Sequence, residues 1–383
     1  MNTSFARPHS TAHKPLRHSA FRKCACCQPV SVPANPARRN FLAGGIAALG
    51  LGASRAPALA QAPAATSHVD PGAAMTSVER TRIDVHHHFV PPTQGEAKQR
   101  HSSQPPKWSA QMSLDDMDQA GVKTAVLSLV EPGVWFGDVE EGRKLARESN
   151  EYAAQLRKDH PGRFGSFAAI PLPDTEGSLR EIEYALDVLK ADGIGLFTSY
   201  QGKYLGDADF VPVFEELNRR KAVVYTHPSA PQCCSGMIKG VQTGTVEYAT
   251  DTTRTVASLL FGTGGTAFRC ADIRFIWSHS GGTLPFLIGR FIRQQVVNKD
   301  PRMPDGPVPI VQKYYYEIAQ GNLPGQFAAL LKLIPVAQLM FGSDYPFREG
   351  TEAMEGLNAY TFTDAERASI NRETALRLMP RLA

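Results

Sequence analysis

Short apolar, β-branched runs alternate with amphipathic stretches along most of this chain. The first run, Arg82–Val85, stops at a cluster of three histidines. A helical stretch at Leu114–Ala120 leads into a second run at Thr124–Val130. Leu145, Tyr152 and Leu156 recur at helical spacing within Glu140–Lys158, and Gly165–Ile170 reads as a third strand. Ser178–Lys190 places Leu179, Ile182, Leu186 and Leu189 on one helix face, ahead of a fourth strand at Gly193–Thr198. The alternation then continues: helix Phe210–Arg220 and strand Ala222–Thr226, helix Asp251–Gly262 and strand Ile273–Trp277. Helix Leu284–Gln295 precedes strand Lys313–Ala319, and helix Gln326–Leu333 precedes strand Gln338–Phe341. Two helices follow, near Glu352–Asn358 and Thr363–Leu378, the second opened by the capping pattern Thr363-Asp364-Ala365-Glu366. Strands each followed by a helix predict a parallel sheet, and eight of them predict closure into a (β/α)8 TIM barrel. A doubly wound open sheet is the alternative, but no G-x-G-x-x-G follows the first strand.

The pattern begins only near residue 79 of 383, and what precedes it has a different composition. Residues 1–60 hold eight Lys and Arg and no Asp or Glu. Arg38 and Arg39 come just before an apolar, Gly/Ala-rich run from Phe41 to Ala53, and Ala58-Leu59-Ala60 follows. A charged region, an apolar region and an A-x-A site in that order mark a signal peptide, and the adjacent arginines mark the twin-arginine route. The expectation is export, to the periplasm, with a cytoplasmic protein as the outcome if the leader is not functional. The apolar run is too short to span a bilayer core of about 30 Å as a helix, so no membrane span is expected. Residues 61–78, rich in Ala, Pro, Thr, Gly and Ser, read as a flexible linker, and 79–383 as one catalytic barrel domain.

Setting the leader aside reverses the charge. The whole chain is formally +4, but eight of its 41 basic residues lie in residues 1–60, leaving 33 against 37 acidic ones. No basic stripe remains to meet nucleic acid. Three of six cysteines also fall in the leader. Cys233, Cys234 and Cys270 remain, without the spacing of a zinc site, and are read as structural.

In a barrel of this kind the active site lies at the C-terminal ends of the strands. Five of the eight histidines beyond residue 60 fall there: His86, His87, His88, His227 and His279. Side chains alternate along a strand, so His86 and His88 share one face and His87 takes the other. Neutral imidazole is the commonest metal-binding side chain. His86, His88 and His227, with Asp344 from Gly342-Ser343-Asp344-Tyr345-Pro346 as the carboxylate, make a candidate metal site. Nitrogen and oxygen donors with an open position belong to a catalytic metal; zinc suits them best, with manganese or iron as alternatives. His279 is left as a general acid or base, and Asp344 is placed both on the metal and in proton transfer. Phe89, Trp108, Tyr200 and Phe347 are candidates to hold a flat substrate, and Arg348 to pair a second carboxylate.

The motifs I-D-x-H-x-H-F, T-H-P, S-H-S-G-G-T-L-P and F-G-S-D-Y-P-F, in that order over residues 80–350, resemble the amidohydrolase superfamily. More narrowly they resemble its aminocarboxymuconate-semialdehyde decarboxylase-like branch. The stretch from Asp251-Thr252-Thr253-Arg254 is similar to methylsalicylate decarboxylase-type enzymes. The resemblance implies that His86, His88, His227 and Asp344 bind one metal, that His279 is catalytic, and that the enzyme is a homodimer. Two-metal relatives carry a bridging Lys or Glu at the end of strand four, where this chain has Gly195-Leu196-Phe197-Thr198-Ser199-Tyr200, so a single ion is expected. The expected activity is non-oxidative decarboxylation of an aromatic or conjugated carboxylic acid, a small-molecule substrate. Metal-dependent hydrolysis of a lactone, ester or amide is the alternative enzyme class, since the same residues can activate water. A metal-storage or binding protein on a barrel scaffold is the non-catalytic alternative.

Overall fold

The computed structural model describes residues 79–101 and 104–383. The leader and linker read from the sequence lie outside these residues. Eight parallel strands form the central sheet: β1 (Arg82–Phe89), β2 (Val122–Leu129), β3 (Phe164–Ala169), β4 (Gly193–Phe197), β5 (Val223–His227), β6 (Arg274–Trp277), β7 (Tyr315–Glu317) and β8 (Leu339–Met340). They stand side by side in chain order, and every pairing along the sheet is parallel. The two outer strands meet through residues 341–345. Val85 N–H donates to the Phe341 carbonyl at 3.0 Å, Asp344 N–H to His86 at 2.8 Å, and His88 N–H to Tyr345 at 2.7 Å. This seam closes the (β/α)8 barrel.

Helices connect successive strands, and their ends are capped as the sequence suggests. Val139–Asp159 starts at Asp138, whose carboxylate accepts the Glu141 N–H at 2.8 Å. Its first turn carries Glu140 and Glu141 and its last Arg157 and Lys158, matching the helix dipole. Thr363 and Glu366 form the expected capping box before the final helical segment. The helix Pro92–His101, between β1 and β2, is an addition to the expected elements; it has little apolar periodicity to announce it. No described helix is long and apolar enough to cross a membrane.

Two apolar layers result. Ile83, Val85, Val126, Phe167, Val223, Tyr225, Ile276 and Met340, from six of the eight strands plus the tail residues Ala375, Leu378, Met379 and Leu382, make the smaller cluster, the barrel interior. The larger cluster lies between strands and helices.

One local departure from regular strand geometry sets up the site. Ile83 and Val85 belong to the interior, so strict alternation would send His87 inward as well. The pairing of β1 with β2 shifts register between Asp84 and His87. A shift of this kind re-aims the side chains that follow. His86 and His88 therefore face the barrel mouth, and His87 faces out.

Candidate active site

The register shift is held by Asp84. Its Oδ1 accepts the N–H of His86 at 3.0 Å and of Ser343 at 3.1 Å, and its Oδ2 accepts the Ser343 hydroxyl at 2.6 Å. The same oxygen lies 3.0 Å from His87 Nδ1. His87 Nε2 is 2.9 Å from Ser113 Oγ, and its ring stacks on Tyr345 with centroids 4.7 Å apart. His87 is thus a buried structural residue. Asp84 fixes both the triplet's register and the β1–β8 seam.

His86, His88, His227, His279 and Asp344 converge at the mouth. His86 Nε2 and His88 Nε2 lie 3.0 Å apart, and each is 3.1 Å from Asp344 Oδ1. The His227 ring is 5.1 Å from that of His86 and 4.7 Å from that of His88, centroid to centroid. His86, His227, His279 and Asp344 each offer an atom such that all four lie within 4.8 Å of one another. The arrangement therefore brings together His86, His88, His227 and Asp344, and it draws His279 as close as these expected ligands.

The ring tautomers are set from behind. His227 Nδ1 is 2.8 Å from the Pro228 carbonyl, which can only accept, so Nδ1 carries the hydrogen and Nε2 presents a lone pair. His86 Nδ1 faces Glu317 Oε1 at 2.8 Å, which likewise leaves the lone pair of the neutral ring on Nε2. Ser128 Oγ lies 3.2 Å from His88 Nδ1. Asp344 Oδ1 is buried among these nitrogens without a hydrogen-bond partner. Lone pairs converging on an unpartnered carboxylate oxygen fit a divalent cation, with the orienting partners that metal-binding histidines require.

The charges agree with that fit. Burial would lower His86, but Glu317 and then Asp344 raise it to about 10, so the set draws positive charge to this point. Burial, and then the neighbouring imidazoles His88 and His86, hold His227 well below its ordinary value. His88 is also lowered, by burial first, with Asp344 opposing. Burial would raise Asp344, yet the charge of His86 and then the hydrogen bond of His279 keep it well below the carboxylate range.

Glu317 and Gln320 are site residues that strand reading passed over. Glu317 is fully buried at the end of β7 and accepts from His86 Nδ1, from the His279 N–H at 2.6 Å and from the Ala319 N–H at 2.6 Å. Its one signal in the sequence is a lone carboxylate inside the apolar run Tyr314–Ile318. Gly342 leaves room for it: a Cβ there would sit 2.1 Å from Glu317 Oε2. Gln320 donates to Asp344 Oδ2.

A cavity of about 860 Å³ opens above this cluster, with His227, Asp344, Gln320, Tyr248, Phe347 and Arg348 in its wall. Glu131 fixes that wall, accepting from the Tyr248 hydroxyl at 2.5 Å and the Ala230 N–H at 2.6 Å. Of the four expected aromatic contacts, Phe347 lines the cavity, 53% exposed, with its ring 5.6 Å from that of His88. The other three expectations are corrected. Phe89, one residue past His88, points to the opposite face and packs against Trp108 and Tyr152 in the strand–helix layer. Trp108 Nε1 donates to Ser113 Oγ at 2.8 Å, on the outer side of His87. Tyr200 is buried against Phe210, its hydroxyl accepting the Phe197 N–H at 2.9 Å. Arg348 is in the cavity wall and lies 3.8 Å from Glu352. Asp251 ties Tyr204 and Thr198 to the helix Ala249–Phe261, a scaffold role. Cys233 and Cys234 are joined to each other, and Cys270 is buried.

Comparison with known proteins places this geometry. The decarboxylase yanB of Aspergillus niger is 36% identical over 326 residues, covering 78% of this chain and 88% of the relative. The 6-methylsalicylic acid decarboxylase of Penicillium expansum is 35% identical over 321 residues, covering 79% and 97%. A dihydroxybenzoic acid decarboxylase from a Polaromonas species, solved with bound manganese and an inhibitor, shares the fold at a TM-score of 0.66 and 21% identity, covering 79% and 97%. The amidohydrolase family model matches residues 83–381. The chain belongs to the amidohydrolase superfamily, in its aminocarboxymuconate-semialdehyde decarboxylase-like branch.

Proposed function

We propose that this protein is a metal-dependent, non-oxidative decarboxylase of a hydroxylated aromatic or conjugated carboxylic acid. The observation that carries the reading is the buried Asp344 carboxylate, with one oxygen among the imidazole lone pairs and the other beside His279 and the cavity. The decarboxylases among its relatives favour carbon–carbon cleavage over the hydrolytic alternative. His86, His88 and His227 through Nε2, and Asp344 through Oδ1, would hold one divalent ion. Zinc suits the donors, and manganese, bound in the Polaromonas decarboxylase, suits them too.

When bound, the ion would act as a Lewis acid and template for the substrate carboxylate and a neighbouring hydroxyl. Phe347 lies over the histidines and would flank the ring. The proton shared between His279 Nε2 and Asp344 Oδ2, 3.5 Å apart, is the one passed to the ring carbon that bears the carboxylate. The C–C bond then breaks, its electron pair restores the ring, and carbon dioxide leaves. Export by the twin-arginine route remains our reading of residues 1–60.

The test is turnover of a panel of hydroxybenzoates with carbon dioxide monitored. A chelator should abolish release, and zinc or manganese should restore it. Hydrolysis of esters or lactones with no carbon dioxide from any acid would overturn the reading. The ligand assignment is checked separately. His86→Ala is expected to lose the metal, and His87→Ala to keep it while costing about 1–3 kcal/mol of stability through the orphaned Asp84 and Ser113. Equal metal content in the two variants would refute the register.

A further inference from the structure

Asp344 turns its two oxygens toward different neighbours. Oδ1 faces Nε2 of His86 and His88 and accepts no hydrogen bond. Oδ2 faces His279 Nε2 and the side-chain amide of Gln320, which donates to it. Both of those residues, and Ser280 beside His279, sit on left-handed backbone, which non-glycine residues adopt at a cost: φ is +52° at His279, +55° at Ser280 and +50° at Gln320.

The two turns are locked together. Ser280 Oγ donates to the Gly321 carbonyl at 3.0 Å, and Glu317 accepts the His279 N–H. Gln326 Nε2 donates to the Gln320 carbonyl at 3.2 Å, while its Oε1 accepts the Leu323 N–H at 3.0 Å. Gln320 and Asp344 both line the cavity. The fold therefore holds an uncharged donor, in an unfavourable backbone conformation, against the one carboxylate oxygen that faces away from the imidazole pair His86 and His88.

We infer that Gln320 is a positioning residue for the proton-transfer step, acting through Asp344. Its N–H keeps Oδ2 turned to the cavity and stabilises the carboxylate as the proton departs. In that step the proton held between His279 Nε2 and Asp344 Oδ2 leaves for the ring carbon, so that its bond to this pair breaks as a C–H bond forms and His279 is left neutral. The C–C bond to the carboxylate then breaks, and Asp344 remains as the anion that Gln320 bonds. A donor aimed at charge that develops in the transition state acts on kcat, not on ground-state binding. The inference rests on the decarboxylase reading.

The test compares Gln320→Met, which keeps the length and loses the donor, and Gln320→Ala with the wild-type enzyme. For both variants kcat should fall by about 10- to 100-fold, the order expected for one lost transition-state donor. KM for the hydroxybenzoate should stay at the wild-type value. Exchange of the product's ring hydrogen in D2O, which isolates the protonation step, should fall by the same factor as kcat. The stoichiometry and visible spectrum of the cobalt-substituted protein should not move. Unchanged kcat and exchange would overturn the inference, as would a fall that tracks loss of cobalt. Failure of both variants to fold would overturn it too, by making Gln320 a structural residue. A wild-type enzyme that releases no carbon dioxide refutes the decarboxylase reading instead; an active wild type with equally active variants refutes this inference alone.

Discussion

Asp344→Asn is expected to stop carbon dioxide release, with kcat lower by about 10³-fold or more, because a carboxylate is lost from both the ligand set and proton transfer. The substitution is a mild one for the backbone. Asp344 has φ +69°, in the left-handed region that Asn tolerates nearly as well as Asp. It is severe for the chemistry. An amide cannot carry the transferable proton, and its NH2 must face either Gln320, from which the carboxylate now accepts, or the imidazoles, where an unpartnered oxygen now lies. Single-turnover measurement of carbon dioxide, alongside circular dichroism and metal analysis, separates chemistry from folding. A folded, metal-loaded variant retaining near wild-type kcat would remove Asp344 from the mechanism.

Glu317→Ala has the largest expected effect on stability. It would orphan three buried donors, His86 Nδ1, the His279 N–H and the Ala319 N–H. Breaking a buried, hydrogen-bonded ionic pair by removing one partner costs about 3–5 kcal/mol, and the emptied volume adds to that. Urea unfolding measures it. Glu317→Gln isolates the orienting role. Its single carbonyl oxygen cannot replace both carboxylate oxygens, which now serve His86 and His279 on one side and Ala319 on the other. Metal affinity should fall by about 10- to 100-fold, as for other partners behind a metal-binding histidine. Wild-type metal affinity in Glu317→Gln would mean that His86 is oriented by the strand alone.

The barrel was legible because its signals are local. Apolar alternation and helical spacing mark each strand and helix without reference to the rest of the chain, and the observed boundaries stay close to the expected ones. Five of the ionisable site residues were legible for a related reason, Glu317 being the one passed over. A barrel puts its chemistry at strand ends, so His86, His88, His227, His279 and Asp344 could be assigned to one mouth from strand positions alone. The aromatic contacts were not legible. Phe89 and Trp108 satisfy the composition of a pocket wall, but Phe89 follows the outer face of β1 and Trp108 packs against it there, bonded to Ser113. Tyr200 is claimed by Phe210 and the Phe197 N–H.

By itself, the sequence determined the order of elements, the barrel class and the set of histidines and aspartate that must meet. Tertiary structure alone decided how they meet. Asp84, reaching across to Ser343, shifts the register of β1 and turns His86 and His88 inward. Glu317 sets the tautomer of a histidine 231 residues away. Gln320 separates the two oxygens of Asp344. Periodicity describes which face of one element is apolar. These contacts join residues of different elements, through hydrogen bonds that exist only once the barrel has closed.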